Sequence, residues 1–460
     1  MSRILVVGGG PAGHRLAERL RHHGHRGPVT VLGAEPEAAY HRPLLSYVLA
    51  GRLTPEALRL PPLPGVEVRS GTTVTHIDRA RRQVRASGTV HGYDVLVLAT
   101  GARAVVPRFR GVTGPGVTVL RTAADCERIT GASVVVLGGG PLGVETAAAL
   151  AARGRATTLV CAAPHPLRKR LGEVASGLLT EALERAGVTV LGGRTVTARE
   201  PGGVLLDDGT RLPADTLALC TGALPDVGLA RAAGLDVRTG ILVDGRLRTG
   251  DPRIHAIGDC AEHTGRTVAG VEAAWAQADS LARILTGHDA LAHRSTPPVF
   301  RLRTDVADVA CMGSPDAFAD PAVRCLTFAD QDGGRYARLA LRGERLAAAV
   351  LFNLPDAIAS LGELHRHGRL LPSDRLGLLL GGPPRPASTV LGTPEDALIC
   401  LCNNVQFQTL AKAWRAGART VTALATATRA TTGCGGCGSE VAGLCVRWER
   451  ERRHDGERTP

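Results

Sequence analysis

Residues 3–13 read RILVVGGGPAG, and this stretch decides the fold. The apolar run at residues 3–7 has the continuous hydrophobicity of a strand buried on both faces. Gly8, Gly10 and Gly13 follow as G-x-G-x-x-G, then a helical pattern through Arg21 and a second strand at Val29–Leu32. Strand, glycine turn and helix in that order form the dinucleotide fingerprint in its proper context. The first glycine permits a tight turn, and the second lets the backbone approach a pyrophosphate. The helix N-terminus offers that anion its unpaired N–H groups. Glu35, 27 residues after Gly8, falls where a carboxylate takes a ribose hydroxyl pair.

The pattern recurs. SVVVL at Ser133–Leu137 leads into Gly138, Gly140 and Gly143, a helix to about Ala152 and a strand at Thr157–Val160. A lone glycine turn between strand and helix can serve packing alone. Two copies, each in context, point to two dinucleotide sites. The second copy carries Cys161 where the acidic residue belongs, with His165, Arg168, Lys169 and Arg170 close behind. Those basic residues could meet a 2′-phosphate or form a solvated turn, so the choice between NADH and NADPH stays open at this point.

At 460 residues the chain exceeds one ordinary core, and roughly three or four domains are expected. Its 44% apolar and 21% charged content, with 57 glycines, is that of a soluble globular α/β protein. No apolar run approaches the ~20 residues of a membrane span. The N-terminus is better read as a first strand than as a signal peptide, which favours a cytoplasmic location. The formal charge of +12 comes almost wholly from arginine, with Lys169 and Lys412 the only lysines. Basic residues are scattered and aromatics make up 3%, which argues against nucleic acid as a partner.

With these motifs in place the chain resembles the pyridine-nucleotide flavoprotein reductases of the rubredoxin and ferredoxin reductase type. The matching phrases are GGGPAG at 8–13, LATG at 98–101, GGGPLGVE at 138–145, CTGALP at 220–225 and HAIGDCAE at 255–262. The resemblance implies that the first fold binds FAD and the inserted second fold NAD(P)H. It places Arg42, Thr100, Gly101, Gly258 and Asp259 at the flavin, Gly222 in the second returning turn, and Glu145 where nicotinamide and flavin meet. Tyr47 stands where many members carry lysine. No cysteine precedes Cys126, so neither a redox dithiol nor a single catalytic cysteine can sit beside the flavin at the family's positions. The electrons must leave by another route.

Near the other end lie Cys400 and Cys402, then, after 31 residues, Cys434 and Cys437. Two close-set pairs suit either a 2Fe–2S cluster or a tetrahedral zinc. ICLCNNV at 399–405 and TTGCGGCGSEVAGL at 431–444 resemble the bacterioferritin-associated-ferredoxin type of 2Fe–2S domain, which implies iron–sulfur rather than zinc. A helix over Gln408–Ala416 closed by Gly417, a second capped by Thr420 and a third from Ser439 are expected around the quartet. The remaining cysteines, including Cys325 and Cys445, read as ordinary buried thiols.

The expected fold class is α/β. Two Rossmann-like folds of the three-layer ββα type are followed by a small α+β reductase domain and a small helical 2Fe–2S domain. The FAD domain takes 1–112 and 242–290, and the NAD(P)H domain 113–241. The α+β domain takes 298–375, a linker 376–395, the cluster domain 396–449 and a fraying charged tail 450–460. This order resembles the electron-transfer subunit of assimilatory nitrate reductase and the N-terminal part of the assimilatory nitrite reductase large subunit. It implies electrons passing from NAD(P)H through FAD and the cluster to a separate redox acceptor, most simply a nitrate or nitrite reductase catalytic subunit. The alternatives are a general ferredoxin or rubredoxin reductase, an iron-handling protein that docks on an iron store, and a zinc-stabilised flavoprotein oxidase.

Overall fold

The computed structural model describes residues 2–267, 270–288, 293, 299–330, 332–380, 398–400, 405–431 and 437–456. They fall into two compact units, Met1–Pro298 and Val299–Pro460.

The first unit opens with strand β1 (Ile4–Val7), helix α1 (Pro11–His22) and strand β2 (Val29–Leu32). With β3 (Glu67–Arg69), β4 (Val95–Leu98) and the returning strand Ile254–Ala256 they form a parallel sheet. Its order is Ile254–Ala256, β4, β1, β2, β3, with Ile4 opposite both Val29 and Val95. All four β1 side chains are buried, as a parallel sheet covered on both faces requires. α1 starts at a proline, whose missing N–H costs nothing in the first turn.

A short antiparallel pair carries the chain into and out of the second fold. β5 (Ala102–Ala104) leaves the first fold, and the strand Ala223–Pro225 returns opposite it. Between them β6 (Ser133–Leu137), helix α2 (Pro141–Ala152), β7 (Ala156–Cys161) and helix α3 (Arg168–Arg185) repeat the opening pattern. The second parallel sheet runs Val188–Gly192, β7, β6, Thr216–Leu219, Val117–Val119.

The first fold resumes earlier than the expected residue 242. Val227, Ala230, Leu235 and Ile241 already pack in one core with Leu5, Val7, Ile77, Tyr93 and Leu96. The physical boundary is the returning strand, after which the chain is back on the first sheet. Helix α4 (Val271–Leu285) then lays Ala278, Leu281 and Ala282 against Leu16, Ala17 and Leu20 of α1. The buried Arg15 guanidinium bonds Asp279 across that seam at 2.7 Å.

The second unit begins with a five-stranded antiparallel sheet ordered Val299–Arg301, Val309–Gly313, Arg345–Phe352, Arg335–Arg342, Arg324–Asp330. Helix α5 (Pro355–Arg366) covers it through Ala357, Ile358 and Leu361. Residues assigned to the linker from 376 instead belong to helix α6 (Arg375–Leu380), whose Leu379 is in the same core. The rest of that linker, to 395, lies outside the described residues. Cys325 is exposed, not buried, because its strand is the sheet edge.

The last domain has helices α7 (Phe407–Arg415), α8 (Val421–Thr428) and α9 (Gly438–Gly456). Gly417 has φ +107° after α7, and the Thr420 hydroxyl accepts from Ala423 N–H as a cap. The last helix does not end at Trp448. α9 continues through Gly456, with Arg447–Glu451 and Arg452–Glu449 pairs one turn apart along it. No helix among the described residues is long and apolar enough to cross a membrane.

Candidate cofactor sites

A cavity of about 800 Å³ opens at the carboxyl ends of the first sheet's strands. Gly8, Gly10, Glu35, Arg42, Thr100, Gly101, Gly258 and Asp259 all line it, and no cysteine does. Gly13 lies beneath the turn. A Cβ there would meet Gly8 O at 2.1 Å, so the glycine is what lets α1 press on the strand. Gly8 has φ +122°, and a Cβ on it would sit 2.0 Å from Ala99 O. Gly10 is different, because a Cβ there meets nothing within 4 Å. That open space beside the α1 N-terminus is the cradle a pyrophosphate needs, so the cavity fits FAD.

Glu35 is held from two sides. Its carboxylate accepts from the Tyr40 hydroxyl at 2.6 Å and from the Arg42 guanidinium at 2.5 Å. Burial pushes the Tyr40 hydroxyl up from its ordinary value, keeping it a neutral donor. Arg42 also donates to the Arg121 carbonyl at 2.6 Å. Asp259 accepts from the Arg121 guanidinium at 2.9 Å, and Gly258 N–H donates to the buried Gln277 Oε1 at 2.7 Å. Thr100 ties the cavity floor to the Asp226 carbonyl at 2.7 Å. Tyr47 is buried, with the Arg52 guanidinium 5.1 Å above its ring.

Arg121 and Gln277 escaped the sequence reading. Arg121 lies in LRTAAD, where Thr122 and Asp125 form a capping box, and that box is the one local signal fixing its position. Asp259→Ala would leave the half-buried Arg121 cation without its carboxylate. Flavin affinity is expected to fall about 10–100-fold, the worth of a charge-assisted contact. Flavin titration of the apoprotein checks this, and Arg121→Ala should shift affinity the same way.

The second glycine turn repeats the first. Gly138 has φ +122° with a Cβ position 2.4 Å from Cys220 O, and a Cβ on Gly143 would lie 1.7 Å from Gly138 O. Gly140 again faces open space, so this turn fits a second dinucleotide. Glu145 is buried in α2, and Leu142 of the same helix lines the flavin cavity. The first turn of α2 thus borders both the second glycine turn and the first cavity. Gly222 (φ +103°) sits in the return, just before Ala223 and Pro225 at the cavity wall. Burial pushes the Cys220 thiol up to about 12, which leaves it protonated and unreactive.

Of the cysteine quartet, Cys400 and Cys437 are buried in one core with Ile399, Val405, Leu410, Trp414, Val441 and Trp448. Cys402 and Cys434 lie outside the described residues. Cys437 immediately precedes α9, whose N-terminus favours negative charge. One thiol from each sequence pair reaching the same core suits a four-thiolate cluster held between them.

The family of pyridine nucleotide-disulphide oxidoreductases matches residues 2–278, and the BFD-like 2Fe-2S binding domain matches residues 398–445. The nitrite reductase (NAD(P)H) large subunit of Klebsiella oxytoca is 32% identical over 95% of this chain and 48% of its own. The assimilatory nitrate reductase electron transfer subunit of Bacillus subtilis (strain 168) is 28% identical over 95% of this chain and 58% of its own. The chain therefore spans about half the length of these relatives. The crystal structure of the covalent putidaredoxin reductase–putidaredoxin complex matches with a TM-score of 0.73 and 30% identity, over 82% of this chain and 95% of that one. The chain belongs to the pyridine nucleotide-disulphide oxidoreductases, as an NAD(P)H-dependent flavoprotein oxidoreductase that uses FAD and carries a 2Fe-2S domain.

Proposed function

We propose that this chain draws electrons from NAD(P)H and delivers them, one at a time, to a separate redox acceptor of nitrate or nitrite assimilation. When bound, FAD and the cluster supply the conversion of a two-electron donor into single electrons. The chain's own part is positional. Gly8, Gly10, Glu35, Arg42, Thr100, Gly101, Gly258 and Asp259 hold the flavin, with Gly13 setting the helix. Gly138, Gly140 and Gly143 hold the nicotinamide nucleotide, with Gly222 in the return, and Glu145 stands between the two sites. Cys400, Cys402, Cys434 and Cys437 hold the cluster.

The observation that carries this reading is the extent of similarity. An alignment over 95% of the chain runs through both the reductase and the cluster domain in the two nitrogen-assimilation relatives. A second reading, a general ferredoxin or rubredoxin reductase, draws on the match of the reductase part to putidaredoxin reductase. The two separate in one assay. The purified holoprotein is mixed with NAD(P)H and either a nitrate reductase catalytic subunit or a ferredoxin. Nitrate consumption that needs this chain supports the first reading. Fast ferredoxin reduction with inert nitrate reductase sinks it in favour of the second.

A further inference from the structure

The end of β7 departs from the end of β2 in its chemistry. Past β2, Glu35 supplies a carboxylate to the cavity. β7 itself ends in Cys161, 2% exposed, whose Sγ donates to Ala163 O at 3.3 Å. Burial raises this thiol above its ordinary value, so it is neutral and cannot stand in for a carboxylate. The segment 161–167 reads CAAPHPL and contains no acid. A ribose diol seated here finds no carboxylate within residues 161–167.

The same segment is pinned beside the second glycine turn. Leu167 N–H donates to Gly139 O at 2.8 Å, and Gly193 N–H donates to Ala163 O at 2.9 Å. Gly139 packs so closely that a Cβ on it would reach Cys161 Cβ at 2.6 Å and Pro166 Cα at 3.2 Å. The chain then makes a separate turn. Leu167 takes φ +56°, Gly172 takes φ +75° and breaks α3, and Leu167 and Leu171 are buried as anchors. Between the anchors stand Arg168, Lys169 and Arg170, the first half-buried and the other two exposed. Glu173 is the nearest acid in sequence. It pairs with Arg168 and lies 3.7 Å from His165 Nε2. Within residues 161–173 the sequence places Arg168, Lys169 and Arg170 beside one acid, Glu173.

We propose that the second fold selects NADPH over NADH, with the Arg168–Arg170 turn receiving the 2′-phosphate. This rests on the second fold being the nicotinamide nucleotide site. The missing carboxylate removes the grip on a 2′-hydroxyl, and the anchored basic turn supplies charge where a phosphate dianion would replace it. Arg168 is the central group because its present partner, Glu173, is exposed and exchangeable for a phosphate.

Calorimetry on the FAD-loaded protein tests this with ADP-ribose and 2′-phospho-ADP-ribose, which differ only in the phosphate. The phosphorylated probe is expected to bind about tenfold tighter or better. The double variant Arg168→Ala, Lys169→Ala should lose that advantage while its affinity for ADP-ribose and its flavin content stay unchanged. Glu173→Gln, which releases Arg168, should widen the advantage. Equal or tighter binding of ADP-ribose by the unmodified protein overturns the proposal and leaves the nucleotide site standing. Failure of both probes to bind overturns the site and the proposal together.

Discussion

Gly8→Ala is expected to give protein that retains no flavin and melts far below the parent. The added methyl would lie 2.0 Å from Ala99 O at φ +122°, a backbone conformation that L side chains rarely adopt. Nothing nearby can yield. Gly8 N–H is bonded to Leu32 O at 2.8 Å and Ala99 N–H to Val7 O at 2.7 Å, so the turn is locked between three strands. The cost reaches the ~4 kcal/mol or more that marks an exceptional single substitution, a large share of a domain's stability. Gly10→Ala separates packing from binding. Its φ is −76° and its Cβ position is open. The apoprotein should therefore melt where the parent apoprotein does, while the methyl obstructs the pyrophosphate. Flavin-to-protein ratio and thermal melting, read on both variants, check the contrast. A flavin-replete Gly8→Ala protein with a parental melting temperature would show that this turn does not do what its geometry requires.

Cys437→Ser is expected to remove the iron and strand the electrons on the flavin. Cys437 is 7% exposed, and serine offers iron a poorer, harder ligand in the same buried place. Iron content and iron–sulfur absorbance should fall to background. NAD(P)H-driven reduction of ferricyanide should persist at the flavin, while reduction of a protein acceptor is lost. The last domain should also loosen, because ligand binding in so small a core is folding energy. Rapid proteolysis within the last domain, with the reductase part intact, is the structural readout. Full iron occupancy in this variant would remove Cys437 from the ligand set.

The glycine turns, β1, α1, β6 and α2 were legible to within a residue or so, because buried parallel strands read as unbroken apolar runs and each turn's glycines are fixed by steric need. The early return to the first fold was not. Membership of Val227, Ala230 and Leu235 in the first core depends on where β5 and its partner strand deliver the chain, which no local pattern states. Arg121 was hidden for another reason. Among 55 lysines and arginines a single guanidinium carries no signal until its neighbour Asp259 is located. α6 and the far half of α9 were missed because proline-rich and charged surroundings suggested loop. Leu379 in the core and the ion pairs along α9 override that composition.

The paired strands joining the two nucleotide folds set how the molecule can be rebuilt. Ala104 and Ala223 are opposite one another, so entry and exit of the whole second fold are separated by one cross-strand spacing, about 5 Å. To the host sheet, more than a hundred residues occupy no more room than the tip of a hairpin. A module with its two ends this close can grow without moving any strand of the first fold, provided it keeps Arg121 and Leu142 at the first cavity. The architecture is thus a socket: the second fold enters and leaves through one narrow neck and reaches back with Arg121 to brace the cavity's Asp259.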